Sequence, residues 1–460
     1  MPDTNTNHHE GSADLGRTLE ALGETIAPDV LAEGWDESMR TMPPVIPFLE
    51  PEHIRFARDY CTLDAATEQP LVACATGVAV SDPMRRLAWH AVRCLFDAPT
   101  GTDFTRWPTL AGEPGFYLVI ALAMVPRVIE THRELGIEPG VTRRTCRQVA
   151  CFAGNYRRAH RDAGQEAIGI FRRQLYWLRH YTQGRLFRLG RFEYMLKQHD
   201  DRFVLFRYND SCRYLALAPD GRVYDDEGLA VSTGAGQTAA EGVAPNQIAG
   251  GRESASVFPG TWLSRLSLSD ERAEGYPIDP AGRVLRQRVT LDLGQWHAVL
   301  KAGDTVIDLH IPADGRMPID ACAESLRSAV DFFARHFPDR PAVSVWSSSW
   351  IFGPQLEKIL PPQSNLVRFL RQGYLAPVPS AGRSLWFIYL DDAVDRRNAP
   401  RDNSLQAAVS DFLAQGGVWR DASMAYPVDM LPAFGTEPFR RGFAPACELA
   451  GCTSPQSRLS

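Results

Sequence analysis

The sequence predicts an α+β protein in which an all-helical N-terminal domain is followed by a domain built on a mixed β-sheet. Apolar residues recur at helical spacing almost throughout from Leu15 to about Gly184. At Arg185 the period changes to that of β-strands separated by turn residues. Between Val306 and Leu390 the pattern reads strand, turn, amphipathic helix, strand, short helix, strand and strand. Because strands joined through a helix usually run parallel, this segment predicts a mixed sheet.

The composition is that of an ordinary globular protein and indicates no special partner. The 460 residues, 44% hydrophobic and 23% charged, suggest two or three domains. A net charge of −6 gives no reason to expect nucleic acid. The nine cysteines are scattered without a CxxC pair, which favours reduced thiols in a cytoplasmic protein and no metal site. The longest apolar run, Phe116 to Val125, is about half of what a membrane span needs, so no membrane association is expected.

Shifts in composition and pattern divide the chain into successive parts. They are a disordered tail over residues 1–13, a helical domain over 14–184, a sheet domain over 185–440 and a frayed tail over 441–460. Within the sheet domain, residues 228–260 are rich in Gly, Ala, Ser and Gln and poor in large apolar residues. This composition predicts a flexible insertion.

Two stretches show how proline and glycine shape the predicted elements. Residues 114–135 predict a long helix that bends at Pro126, where the backbone N–H is missing. Residues 186–196 predict one strand with a bulge at Gly190.

The segment from Val306 onward is the most informative part of the sequence. Val306 to Ile311 alternates apolar and polar residues, as a half-buried strand does, and Pro312 to Gly315 breaks it. A helix with an apolar stripe follows as far as His336, and residues 342–350 predict a second strand. In open sheets with parallel strands, ligands bind at the strands' carboxyl ends and at the start of the next helix. We therefore expect the site at His310 to Asp320, facing the end of the second strand.

Several short stretches, together with the order of elements, carry a family resemblance. They are Trp107-Pro108 with Phe116-Tyr117, Gly184 through Arg191, His310-Ile311-Pro312 with Gly315, Ser349-Trp350, Pro354-Gln355-Leu356, Ser364 through Phe369 and Pro400 through Gln406. Over most of its length the chain resembles a bacterial family of two-domain acyltransferases, which pair a helical N-acyltransferase N-terminal domain with a GNAT-like C-terminal domain. The resemblance implies transfer of an acyl group from acyl-CoA, such as acetyl-CoA, to an amine or similar nucleophile of a small molecule or peptide.

The resemblance also implies where the coenzyme binds. The loop from Ala313 to Pro318 occupies the place of the family-type Gln/Arg-x-x-Gly-x-Gly/Ala signature, but it has only one glycine. Backbone N–H groups of this loop would hold the pyrophosphate, and the pantetheine arm would enter a gap where two strands part near Trp346. The residues expected to contact the coenzyme are Ile311, Gly315, Arg316, Met317, Ile319, Trp346, Ser347 and Ser349.

Acyl transfer to an amine needs a base for the amine and an acid for the leaving thiolate. His310 is the candidate base, because it ends a strand beside the turn and Asp308 lies two residues back on the same face. The alternative is that His310 only hydrogen-bonds the following turn. Tyr374 is a candidate acid, although such a tyrosine is more often a core residue with a hydrogen-bonded tip.

Three further residues are expected to contact the acceptor: Trp350, Asn365 and Arg368. Asn365 and Arg368 bracket the predicted start of the next strand, and Arg368 can clamp an anionic group. A surface salt bridge is the competing explanation for Arg368. Twelve arginines between Arg143 and Arg191 form either a second anion site or the solvated faces of helices.

A second class of function stays open. The missing glycines favour a catalytically silent GNAT-like module that binds a peptide or a small anionic ligand. A Ser-His-Asp hydrolase is less well supported, because the sequence has no Gly-x-Ser-x-Gly elbow. Binding of an acyl-CoA would separate the enzyme from the silent module.

Overall fold

The computed structural model describes residues 4–98, 101, 103–110, 112–161, 167–209, 211–232, 260–380, 382–391, 393–395, 397–441 and 443. The chain divides into two compact units. The first comprises residues 1–189 with 312–314, and the second comprises residues 190–311 with 315–460. The division at 189 lies close to the predicted boundary at 184.

The first unit is helical, as the sequence predicts. Its helices are α1 (Thr4–Ala21), α2 (Trp35–Thr41), α3 (Pro51–Tyr60), α4 (Glu68–Val80), α5 (Asp82–Val92), α6 (Phe116–Leu122), α7 (Met124–Glu134), α8 (Pro139–Cys146), α9 (Gln148–Ala159), α10 (Arg172–Leu175) and α11 (Leu178–Thr182). A short strand, β1 (Leu186–Leu189), ends its main segment. Residues 4–13 belong to α1, so the prediction of a disordered tail is wrong for them.

Helix α6 forms the centre of the first unit, because every one of its side chains is buried. The apolar face of α5, with Leu87, Ala88 and Ala91, is also fully buried. The predicted long helix is interrupted at Ala123, between α6 and α7, and does not simply bend at Pro126. Pro126 lies in the first turn of α7, where its missing N–H has no helical acceptor to lose.

The second unit combines several sheets with helices. Its strands are β2 (Phe192–Gln198), β3 (Val204–Tyr208), β4 (Tyr214–Leu217), β5 (Val223–Asp225), β6 (Thr261–Leu263), β7 (Ser267–Leu268), β8 (Arg272–Gly275), β9 (Pro277–Asp279), β10 (Arg283–Val284), β11 (Val289–Asp292), β12 (Trp296–Leu300), β13 (Thr305–His310), β14 (Ser344–Ser349), β15 (Tyr374–Pro377) and β16 (Ala422–Pro427). Its helices are α12 (Ile319–His336), α13 (Leu356–Ile359), α14 (Asn365–Leu370), α15 (Trp386–Tyr389), α16 (Ser404–Ala414) and α17 (Pro438–Arg441).

In the largest sheet the strands of this unit run in the order β2, β13, β14, β16, β15. β13 and β14 are parallel and joined through α12, which confirms the predicted crossover. The other pairs in this part of the sheet are antiparallel, so the sheet is mixed. A second sheet has the order β10, β9, β4, β3, β12. One face of this sheet contributes Phe206, Leu215 and Trp296 to an apolar core.

Two predicted strands differ from the structure. Residues 186–196 form two strands, because the turn at Gly190 and Arg191 separates β1 from β2. The last strand predicted before Leu390 is the helix α15, and the sheet is completed instead by β16. Of the predicted insertion and C-terminal tail, residues 233–259, 442 and 444–460 lie outside the described residues.

In the described part of the chain, no helix has an apolar stretch of the length that a bilayer crossing requires. The cytoplasmic location stays a prediction.

Candidate active site

The candidate site lies where β13 and β14 part. Their parallel register ends at the pair Asp308 and Trp346. Past this pair, β13 stays paired with β2 as far as His310, while β14 stays paired with β16 as far as Ser349. The register thus ends where the family resemblance implies that the two strands part, and the gap itself stays a prediction.

Ser347 of β14 contacts β13 just beyond the last register pair. It directly follows Trp346, its side chain is buried, and its hydroxyl donates to the carbonyl of Leu309 at 2.7 Å. If the parallel pairing continued, backbone hydrogen bonds would join the two strands at this position, but here the bond comes from a side chain. Beyond this bond, no register pair joins the last residues of β13 and β14.

His310 and Asp308 come together as the sequence predicts. The Nε2 atom of His310 lies 3.3 Å from the Oδ2 atom of Asp308. The imidazole is 27% exposed, whereas the carboxylate is 9% exposed. A histidine that solvent reaches, backed by a buried carboxylate, is an arrangement that suits a general base. Among the described residues, no group of three His, Cys, Asp or Glu side chains could hold a metal ion.

Glu193 is a third acidic or basic side chain at the site, and sequence reasoning missed it. It lies directly opposite His310 on β2 and is only 1% exposed. Cross-strand partners have Cβ atoms about 4.5–5.5 Å apart on one face of a sheet. The signal in the sequence was a lone acid between Phe192 and Tyr194, but only the strand register shows what it faces.

The loop that follows β13 is held by an arginine from the turn before β2. The guanidinium of Arg191 donates from Nε to the carbonyl of Arg316 at 2.8 Å and from Nη2 to the carbonyl of Gly315 at 2.7 Å. α12 begins just beyond this loop without a side-chain cap. Its first turn therefore presents backbone N–H groups, which favour an anion.

The residues predicted to contact the coenzyme form two groups, one in the segment from the end of β13 to the start of α12 and one at the end of β14. Ile311 is half-buried, while Gly315 and Arg316 are exposed. Met317 and Ile319 have buried side chains, so only their backbones are available to a ligand. The remaining three residues lie in β14. Trp346 is buried, and Lys197 Nζ lies 4.5 Å from its ring centroid. The Ser347 hydroxyl donates to the Leu309 carbonyl, and the Ser349 hydroxyl accepts from the N–H of Ile351 at 3.4 Å.

Tyr374 is not brought to the site, which corrects its predicted role as an acid. Its hydroxyl donates to the carbonyl of Ile278 at 2.5 Å and accepts from the N–H of Ala216 at 3.0 Å. Burial raises the pKa of Tyr374 well above its usual value. In the sheet, Tyr374 is in register with Asp308 but three strands away, roughly 14 Å at the usual strand spacing.

The residues expected to contact the acceptor occupy other elements. Trp350 begins a short 3₁₀ turn after β14, and its ring lies 6.2 Å from that of Trp419. Asn365 and Arg368 lie in α14, so the prediction that they bracket the start of a strand is wrong. Arg368 is exposed.

Several arginines of the basic stretch in the first unit have structural partners. Arg172 donates to the carbonyl of Trp107, and Arg179 donates to that of Cys94 at 2.6 Å. Arg188 pairs with the carboxylate of Asp314 at 2.9 Å. These contacts favour the structural explanation of this stretch over a second anion site.

Comparisons with known proteins agree with this architecture. Residues 186–424 match the model of the GNAT-like C-terminal domain, and residues 55–182 match that of the N-acyltransferase N-terminal domain. None of the curated proteins matches the chain.

Solved structures with the same fold include an acyltransferase in complex with CoA and 10C-teicoplanin, with a TM-score of 0.56 and 20% identity. Others are an acyltransferase with decanoyl-CoA and teicoplanin, at a TM-score of 0.55 and 20% identity, and an acyltransferase mutant with octanoyl-CoA, at 0.54 and 20%. Each comparison covers 90% of this chain and 99% of the other.

Proposed function

This chain belongs to the two-domain family with a GNAT-like C-terminal domain, and we propose that it transfers an acyl group from acyl-CoA to an amine or similar nucleophile. The observation that carries the proposal is the end of the β13–β14 register beside His310. A gap between two parallel strands gives a narrow, extended arm access to a base without breaking the rest of the sheet. The first turn of α12 supplies N–H groups for an anion at the far end of such an arm.

In the proposed reaction, His310 takes a proton from the acceptor amine as nitrogen attacks the thioester carbonyl. Asp308, 3.3 Å away, orients the imidazole and balances the charge that it gains. The new C–N bond replaces the C–S bond, and the imidazolium returns its proton to the leaving thiolate. One histidine closes the proton cycle in this scheme, so it needs no acid at the position of Tyr374.

The nature of the acyl chain and of the acceptor is also part of the proposal. Solved structures of the same fold hold octanoyl-CoA, decanoyl-CoA and teicoplanin. We therefore propose that medium-chain acyl-CoA esters are donors alongside acetyl-CoA. A small molecule or peptide with an exposed amine is the proposed acceptor.

Isothermal titration with CoA, acetyl-CoA, octanoyl-CoA and decanoyl-CoA tests the function. We expect micromolar binding of at least one ester. A Cβ on Gly315 would meet nothing within 4 Å, so Gly315→Leu leaves the fold intact while filling the space beside the loop. This variant should lose binding. The alternative, a catalytically silent module, is favoured by the single glycine in the loop, and absence of binding for every ester would support it.

A further inference from the structure

We propose that Arg191 is the positioning residue of the phosphate loop, defined as residues 315–321. It aims the backbone N–H groups of the loop at the pyrophosphate of the coenzyme. The inference rests on the proposed function, and it explains how the loop works without the glycines that the usual signature has.

The contact geometry is that of a fork. Two neighbouring N–H groups on one edge of the Arg191 guanidinium bind two successive carbonyls, those of Gly315 and Arg316, at 2.7 and 2.8 Å. Both distances lie in the range of strong, charge-assisted hydrogen bonds. A planar, rigid donor that holds two adjacent carbonyls fixes the orientation of two peptide planes at once.

The orientation of the carbonyls decides where the N–H groups point. In a trans peptide unit the C=O and the following N–H point in opposite directions. The N–H groups of Arg316 and Met317 therefore face away from the guanidinium of Arg191. Neither N–H has a hydrogen-bond partner within the described residues.

These two donors continue into the first turn of α12. The first helical bond of α12 is donated by Cys322 to the carbonyl of Pro318, at 3.0 Å. The N–H groups of Ile319, Asp320 and Ala321 precede it and have no helical acceptor, and Pro318 has no N–H. The phosphate loop thus offers a row of donors, and Arg191 fixes its leading end.

Glycine is not needed for the backbone path of this loop. Gly315 is not among the residues with positive φ, so its conformation is open to other residues. In the usual signature, glycines let the backbone turn its N–H groups toward a phosphate. Here the side chain of Arg191 orients these N–H groups, by binding the carbonyls that point the opposite way. The turn at Gly190, with φ of +68°, brings Arg191 to the loop.

Variants at Arg191 separate positioning from simple support of the fold. Arg191→Gln removes the fork and the charge, while Arg191→Lys keeps the charge and removes the fork. Arg327→Gln, an exposed arginine of α12, is the matched control for loss of charge. Thermal melting identifies any variant that is not folded.

Two ligands give the decisive contrast, because CoA has the pyrophosphate and pantetheine lacks it. Titration with CoA and ligand-detected NMR with pantetheine measure each affinity. We expect both Arg191 variants to weaken CoA binding at least about tenfold, the loss of roughly one charge-assisted hydrogen bond. Pantetheine binding should not change, and Arg327→Gln should bind both ligands as wild type does.

Hydrogen–deuterium exchange adds a readout that does not depend on affinity. In the wild type, saturating CoA should slow exchange of the amides of Arg316 and Met317, and in Arg191→Lys this protection should be lost at equal saturation. Equal weakening of CoA and pantetheine, or unchanged CoA binding, would overturn the positioning role while leaving the proposed function in place. If wild type binds no CoA, both fall together.

Discussion

His310 and Asp308 are two residues apart on β13, and this spacing puts both side chains on one face of the sheet. The first prediction concerns His310. Replacement by Ala should lower the rate of acyl transfer by about 10²–10⁴-fold, the usual contribution of a positioned base. The affinity for CoA should change little, because His310 does not reach the phosphate loop in the proposed scheme.

Release of the CoA thiol, followed with a panel of amine acceptors, measures this rate. His297→Ala is the matched control, since His297 is an exposed histidine on β12. An unchanged rate in His310→Ala would remove the histidine from its role and leave the base unassigned.

Glu193 gives a second prediction at the same scale. Its carboxyl group is buried opposite His310, and in the proposed reaction we expect it to stabilise the imidazolium that forms there. The near-isosteric Glu193→Gln should lower the transfer rate by about tenfold or more while keeping the affinity for CoA. A variant that loses CoA affinity and rate in parallel would show that Glu193 only supports the fold.

The two residues differ in how far the sequence could reveal them. His310 ends an alternating strand before a clear turn, so the local pattern was enough to make it a candidate. Glu193 becomes a candidate only once the pairing of β2 with β13 and its register are known. The two strands are far apart in the sequence. Pairing between distant strands is decided by packing, which periodicity does not encode.

At the scale of elements, the turn at Gly190 links the sheet to the phosphate loop. Gly190 has φ of +68°, and a Cβ there would lie 3.2 Å from the Cβ and 3.3 Å from the Cα of Ser325 in α12. Gly190→Ala should therefore lower the free energy of unfolding by about 1–2 kcal/mol from backbone strain alone, and by more because of the crowding.

Denaturant unfolding measures this difference, and Gly303→Ala is its control. Gly303 has φ of +89°, but a Cβ there would meet nothing within 4 Å. It isolates the cost of the backbone conformation. If the two variants lose the same stability, the contact with Ser325 adds nothing.

The sheet also shows where prediction from sequence ends. The strand, helix, strand order of β13, α12 and β14 was readable from local periodicity. The position of β16 was not, because a strand near the end of the chain is inserted between β14 and β15. This insertion moves Tyr374 away from Asp308 and explains why its predicted catalytic role is wrong. The start of β15 was also hard to predict, because the mostly apolar segment from Leu366 to Leu370 fits a short helix as well as a strand.

At the scale of the whole molecule, the helical unit carries its own dependence on pH. Burial lowers the pKa of His90 and of His132 to about 4. His90 contacts Ser38 Oγ and the carbonyl of Leu31, each at 2.8 Å, and both histidines are fully buried. Their folded pKa values lie below the ordinary value of 6.5, so the unfolded chain takes up these protons first as pH falls.

Stability of the helical unit should therefore be complete above pH 6.5 and decline between pH 6.5 and 4. Each histidine contributes a slope of about 1.4 kcal/mol per pH unit in that window. Denaturant unfolding at pH 7, 6 and 5 measures it, and His132→Gln should remove about 1.4 kcal/mol per pH unit from the slope. Equal stability at pH 7 and pH 5 would contradict this account of the two histidines.

The two-unit organisation itself was accessible from the sequence, since the change of period at Arg185 lies close to the structural division after Leu189. Prediction from the sequence failed where the apolar pattern is weak. The polar start of the chain lacks an apolar stripe, so residues 4–13 gave no sign of a helix.

The structure of this protein with a non-hydrolysable octanoyl-CoA analogue tests the central claim most directly. The account predicts the pantetheine arm in the gap beyond Ser347, the thioester mimic beside His310 and the pyrophosphate on the N–H groups of Arg316 and Met317. A coenzyme bound elsewhere, with the strands of the gap closed on each other, would contradict it.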